Sequence, residues 1–151
     1  MFAGGCQHPT RARLPLCKAG KIDGGMRETF GETLQRHFDA IRARDLEALA
    51  STVAPDQVHL VTANGEVSTS AQHFLDLHRD WFASPTWQLT PQIVATREGG
   101  DLATCLVELE YTDEASDGAG RIRERSILSL VFELRDGRWL MIQDQNTPVR
   151  A

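Results

Sequence analysis

Arg121 to Thr147 reads RIRERSILSLVFELRDGRWLMIQDQNT, two strand-like runs that meet at Asp136-Gly137. An Asp-Gly pair between apolar runs marks a tight hairpin, because both residues tolerate the positive φ that a two-residue turn needs. The first run is almost continuously apolar from Ile127 to Phe132, relieved only by Ser129. The second opens with Trp139, Leu140, Met141 and Ile142 and then turns polar at Gln143, Asp144, Gln145 and Asn146. A final strand that starts apolar and ends polar suggests a sheet wrapped around a pocket. Neither run alternates as a strand with one wet face would, so both faces are expected to be covered. Helices can cover one face, and a second copy of the chain is expected on the other. Homodimerisation through the sheet face is therefore predicted from the pattern, the alternative being a central hairpin buried under its own loops.

The surrounding composition bounds the answer. At 151 residues, with 41% hydrophobic and 25% charged residues, the chain suits one domain with a substantial core. Its net charge of -5 argues against nucleic acid as the main partner. No apolar run approaches the roughly 20 residues that span a bilayer. Cys6, Cys17 and Cys105 show no metal-ligand spacing, and an odd count without a secretory signal suggests reduced thiols in the cytoplasm. Residues 1–25 carry Arg11, Arg13, Lys18 and Lys21 against Asp23 alone, with two prolines and five glycines. This stretch is expected to be a disordered extension. Met26 is a plausible true start, and residues 26–151 form the single expected domain.

From Glu28 the chain becomes periodic. Phe30, Leu34, Phe38 and Ile41 recur at helical spacing and predict a helix to about Arg44. Asp45 is placed to cap a short helix through Leu46 and Leu49. Val58 to Thr62 reads as a strand, Asn64-Gly65 as a turn, and Val67 as a short return strand. Ser70 opens another helix, with Phe74, Leu77, Trp81 and Phe82 on its expected buried side. Two long strands follow, Trp87 to Arg97 and Leu102 to Thr112, joined at Gly99-Gly100. Helices first and strands later indicate an α+β fold with an antiparallel sheet.

This order, with Ala43-Arg44-Asp45-Leu46-Glu47-Ala48-Leu49, the Asn64-Gly65 turn and Asp136-Gly137-Arg138-Trp139, resembles the nuclear transport factor 2-like superfamily and its SnoaL-like branch. The resemblance covers about Glu28 to Pro148. It implies a strongly curved antiparallel sheet packed against N-terminal helices to form a cone, usually dimeric, with a pocket inside. Members include isomerases, dehydratases, polyketide cyclases and association domains. Several relatives end the last strand with histidines where this chain has Gln143 and Gln145, which removes the easiest proton-transfer candidates.

Among the residues themselves, Asp144 is the leading acid–base candidate, since a carboxylate in an apolar cone has its pKa raised towards neutrality. An exposed strand-end aspartate is the plainer alternative. Tyr111, the single tyrosine, is the second catalytic candidate, able to polarise a carbonyl, or else a core residue with its hydroxyl at the rim. Arg125 is expected to pair with Asp144 or to hold an anionic ligand, unless it belongs to a solvated strand start with Arg121 and Arg123. His59, Trp81, Trp87, Gln143 and Gln145 complete the expected pocket. His73 and His78, five residues apart, lack the spacing that places two side chains on one helix face. No metal, phosphate-loop or dinucleotide motif is present, and no cofactor is expected. Two functions are therefore weighed. One is small-molecule binding, with or without cofactor-free isomerase, cyclase or dehydratase activity on an apolar carbonyl compound. The other is a non-catalytic association module.

Overall fold

The computed structural model describes residues 27–150. The expected N-terminal extension, the alternative start at Met26, Cys6 and Cys17 lie outside them. Helix α1 spans Phe30–Ala43 and is opened by a capping box, in which Thr29 and Glu32 satisfy each other's backbone N–H groups. Phe30, Leu34, Phe38 and Ile41 are all buried, as the spacing predicts. The helix ends at Arg44, a non-glycine residue at φ 57. Its guanidinium donates to the carbonyls of Ser84, Pro85 and Trp87, the last at 2.6 Å. It also lies 4.0 Å from the centre of the Trp87 ring. These contacts offset a left-handed backbone that costs roughly 1–2 kcal/mol.

Asp45 caps α2 (Leu46–Ala50), and Ser70 caps α3 (Ala71–Phe82), each side chain accepting a backbone N–H of the first turn. The strands are β1 (His59–Val61), β2 (Val67–Ser68), β3 (Gln88–Gly99), β4 (Leu102–Glu114), β5 (Arg121–Arg135) and β6 (Arg138–Pro148). They form one sheet in the order β2-β1-β6-β5-β4-β3. The four long strands pair antiparallel, as expected. The short β1 instead lies parallel to β6, which makes the sheet mixed. A parallel neighbour requires a crossover, and the chain supplies it through the whole of α3, β3, β4 and β5.

The hairpin turn has Asp136 at φ 50 and Gly137 at φ 79, both positive as the Asp-Gly pair requires. Strand β4 alternates cleanly, with Ala103, Cys105, Val107 and Leu109 buried between more accessible neighbours. Those four residues face the helices with Leu128, Leu130 and Phe132 of β5. Phe30 is wedged edge-on between Phe132 and Trp139, with ring centres 5.3 and 5.4 Å away. Burying each such ring contributes about 1.5–3 kcal/mol.

A single irregularity in β6 sets which of its side chains point inward. Phe132 pairs with Met141 but Val131 pairs with Gln143, so Ile142 is an extra residue in β6. A β-bulge of this kind resets the alternation beyond it. Before the bulge the odd residues Trp139 and Met141 are buried; after it the even residue Asp144 is.

Candidate functional site

The concave side of the sheet and the helices enclose a half-open cavity of about 1180 Å³. Its sheet wall is apolar at Leu60, Leu89, Leu109 and Leu128, and its helix wall carries Phe38 and Ile41 from α1 and Leu77 and Trp81 from α3. The polar lining comprises His37, Thr62, His78, Tyr111, Ser126, Asp144 and Asn146, with Arg123, Glu124, Arg125 and Arg150 towards the mouth.

Asp144 reaches this cavity because of the bulge at Ile142. It is 8% exposed, and its Oδ1 has no hydrogen-bond partner among the described residues. Burial pushes its carboxyl up from 3.8 to about 7. An unpaired carboxylate in low-dielectric surroundings loses hydration with nothing to replace it, so the neutral acid is favoured. Near neutral pH the group is divided between acid and base.

The same reset turns Gln143 and Gln145 to the other face. Neither lines the cavity, contrary to expectation, and Gln145 is exposed. His59 pairs with Gln143 across β1 and β6, is exposed, and also lies off the cavity. Trp87 is fully buried behind the wall, stacked on Trp81 at 4.2 Å with its indole N–H on the Trp81 carbonyl, so of the two only Trp81 meets the cavity. Arg125 borders the mouth, but its guanidinium pairs with Glu108 and makes no ion pair with Asp144. Leu77, expected on the buried side of α3, is 37% exposed at the cavity edge.

Tyr111 does line the cavity. Its hydroxyl donates to Asp113 Oδ2 at 2.7 Å, and Asp113 also accepts from Thr86 at 2.6 Å. Burial first, and then the Asp113 carboxylate, push the phenol up to about 12. The proton that would polarise a carbonyl is therefore already engaged.

Two histidines enter the site that sequence reasoning did not place there. His37 is wholly buried on α1, and its Nδ1 lies 2.7 Å from Thr52 Oγ1. The Thr52 hydroxyl donates its own proton to the Leu49 carbonyl at 2.7 Å, so its oxygen accepts from His37 Nδ1–H. Burial, with smaller contributions from His78 and Arg36, lowers the His37 pKa to about 3, and the ring is neutral. His78 on α3 donates Nδ1–H to the Phe74 carbonyl at 2.8 Å, and burial lowers its pKa as well. A signal for His37 was present: it adjoins Phe38 and stands three residues after Leu34, on the apolar stripe of α1. His78 carries no such signal, because its spacing from His73 says nothing of its neighbour, His37, on another helix. Among the described residues no three His, Cys, Asp or Glu side chains converge as a metal site.

The chain matches the SnoaL-like domain over residues 31–148. It belongs to the SnoaL-like family. None of the curated proteins matches the sequence. Solved structures share the fold. A proposed dehydratase of the nuclear transport factor 2-like family from Streptomyces avermitilis is 18% identical, with a TM-score of 0.69 over 83% of this chain and 96% of that one. A proposed calcium/calmodulin-dependent protein kinase type II association domain from Thiobacillus denitrificans is 14% identical, with a TM-score of 0.69 over 83% and 99%. A ketosteroid isomerase-like protein from Erwinia carotovora atroseptica is 12% identical, with a TM-score of 0.67 over 80% and 94%. At these identities the likeness concerns the fold. This SnoaL-like chain thus shares one scaffold with proteins named for catalysis and with proteins named for association.

Proposed function

We propose that this SnoaL-like protein binds a small, largely apolar carbonyl compound in its cavity. Asp144 then serves as the general acid–base of a cofactor-independent isomerisation, cyclisation or dehydration. The observation that carries the reading is Asp144 itself: buried, unpaired at Oδ1 and facing an apolar cavity. Holding a carboxyl there is costly to folding, and nothing in core packing recovers the cost. A group with pKa near 7 takes a proton from carbon beside a carbonyl and returns it elsewhere with little mismatch on either transfer. Tyr111 supports the wall and orients the ligand through its ring.

The test is a thermal-shift screen of wild type and Asp144→Asn against small apolar carbonyl compounds, followed by deuterium exchange at the α-carbon of each binder. A saturable rise in melting temperature, with exchange that the substitution abolishes, is expected. Ligands that shift both proteins yet exchange no deuterium would remove the catalytic half of the reading.

A second reading rests on the outer face of the sheet. There Leu102 and Leu106 are 47% and 44% exposed, beside half-buried Ile127, Val131 and Leu140. An apolar face of this kind suits a second copy of the chain, so a homodimer accompanies either function. Sedimentation tests it, and a dimer with no binder in the screen would favour the association module. A cytoplasmic setting goes with both readings, given the odd cysteine count.

A further inference from the structure

The helix wall of the cavity carries two imidazoles whose hydrogen bonding is half complete. His37 and His78 each give their Nδ1 proton to the protein, to Thr52 Oγ1 and to the Phe74 carbonyl. Both bonds fix the tautomer, because a carbonyl accepts only and the Thr52 proton is already placed on Leu49. In each ring Nε2, on the edge away from that bond, is left with a bare lone pair, and both rings line the cavity. Asp144 Oδ1 and Asn146 Oδ1, on β6 in the same lining, are buried oxygens without partners among the described residues, and Asp144 in its acid form can also donate. Several of the donors in the lining are already committed, while among the described residues the Ser126 hydroxyl, the Asn146 amide and Arg150 are not. The Tyr111 proton goes to Asp113 and that of Thr62 to Asn64. The arginines at the mouth, Arg123 and Arg125, are paired with Glu110 and Glu108.

We propose that His37 and His78 form a fixed pair of hydrogen-bond acceptors on the helix wall, and that the compound taken by this cavity is uncharged and carries hydroxyl groups to meet them. The inference rests on the small-molecule reading above and narrows its ligand class from carbonyl compounds in general to hydroxylated ones, phenols and enols included. A ligand with acceptors alone leaves two imidazole nitrogens unsatisfied on the helix wall, and an anion would add charge beside the Asp144 carboxyl. A hydroxylated apolar ring fills the leucine-lined walls and supplies the missing protons.

The probes are 2,7-dihydroxynaphthalene and its dimethyl ether, which share a ring and differ in donors, titrated calorimetrically into the whole chain. The diol is expected to bind wild type about 25-fold more tightly than the ether, from two neutral hydrogen bonds at roughly fivefold each. An asparagine at either position places an amide donor where Nδ1 stood and nothing where Nε2 stood. His37→Asn and His78→Asn should each lower the preference about fivefold, and the pair together should abolish it. Glutamine, whose carbonyl extends towards the Nε2 position, should restore part of it. Affinity for the ether should stay constant throughout, showing that the cavity is intact.

Equal affinity of the two probes for wild type, or a preference that survives the double asparagine variant, overturns the histidine pair. Binding of neither probe to the folded chain removes the cavity reading and this inference with it. Failure of Asp144 as acid–base appears separately, as deuterium exchange unaffected by Asp144→Asn while the hydroxyl preference stands. If the double variant does not fold, the wild-type comparison and His78→Asn, at the more accessible position, still decide the matter.

Discussion

Asp144→Asn should stabilise the protein at alkaline pH and leave it acid-sensitive, and both effects follow from two buried groups with opposite shifts. The Asp144 carboxyl rises from 3.8 to about 7 on folding. A raised pKa means that the folded state holds its proton more tightly. Its stability contribution is whole below pH 4 and is lost as pH climbs to 7. At about 1.4 kcal/mol for each tenfold change the full loss is about 4 kcal/mol. His37 falls from 6.5 to about 3, so its contribution is whole above pH 6.5 and is lost as pH drops. His78, also lowered by burial, acts in the same direction as His37.

Between pH 5 and 6.5 the carboxyl and the His37 imidazole nearly cancel, and the lowered pKa of His78 tilts wild-type stability upward. Asparagine removes the carboxyl at nearly constant volume. The variant should exceed wild type by about 1.5 kcal/mol at pH 5 and by about 4 kcal/mol at pH 8, while its own stability rises by about 2 kcal/mol across that interval. His37→Gln should show the reverse slope, falling as pH rises. Urea denaturation at half-unit steps from pH 5 to 8 measures both, and stays above the range where Glu28 and the paired surface aspartates titrate. A difference between variant and wild type that is the same at pH 5 and pH 8 would refute a buried, unpaired Asp144.

Further outcomes are expected elsewhere. Tyr111→Phe should cost about 1 kcal/mol in urea denaturation, through the lost bond to Asp113, and leave ligand affinity within about twofold, because the phenolic proton is not offered to the cavity. Asp45→Ala should lower stability by about 1 kcal/mol, since its carboxylate caps α2 at the Ala48 N–H; a thermal melt checks this. Leu106→Arg, on the outer sheet face, should convert the expected dimer to a folded monomer in sedimentation velocity without altering the circular dichroism spectrum. Gly137→Ala should cost roughly 1–2 kcal/mol, because φ 79 places a Cβ against the carbonyl; if the hairpin tolerates it without loss, the turn is not as tight as described.

Much of the fold was legible because local chemistry and tertiary packing agree. The Phe30–Leu34–Phe38–Ile41 stripe, the Asp45 and Ser70 caps and the Asp136-Gly137 turn each have one comfortable conformation, and the structure uses it. The parallel seat of β1 beside β6 was not legible. A three-residue strand carries too little pattern to name its neighbour, and its partner comes far along the chain. The site was half legible. Asp144 stood out as a carboxylate following an apolar run, whereas His37 looked like one more residue in a helix and His78 like one of a mismatched pair.

The sequence by itself determined that a long hairpin would close at Asp136-Gly137, that helices would precede a large sheet, and that the last strand would pass from apolar to polar. These are decisions of turn geometry and hydrophobic period, which neighbouring residues make among themselves. It could not determine which of Gln143, Asp144 and Gln145 would face the cavity, because simple alternation from Trp139 and Met141 points the two glutamines inward. Packing of β6 against β5 leaves Ile142 as an extra residue, and that single insertion reverses every side chain beyond it. Asp144 thereby enters an apolar enclosure that two imidazoles from separate helices also line. Only the tertiary structure makes that juxtaposition, since burial and the missing hydrogen-bond partner that raise the carboxyl's pKa belong to the assembled walls and to no segment of the chain.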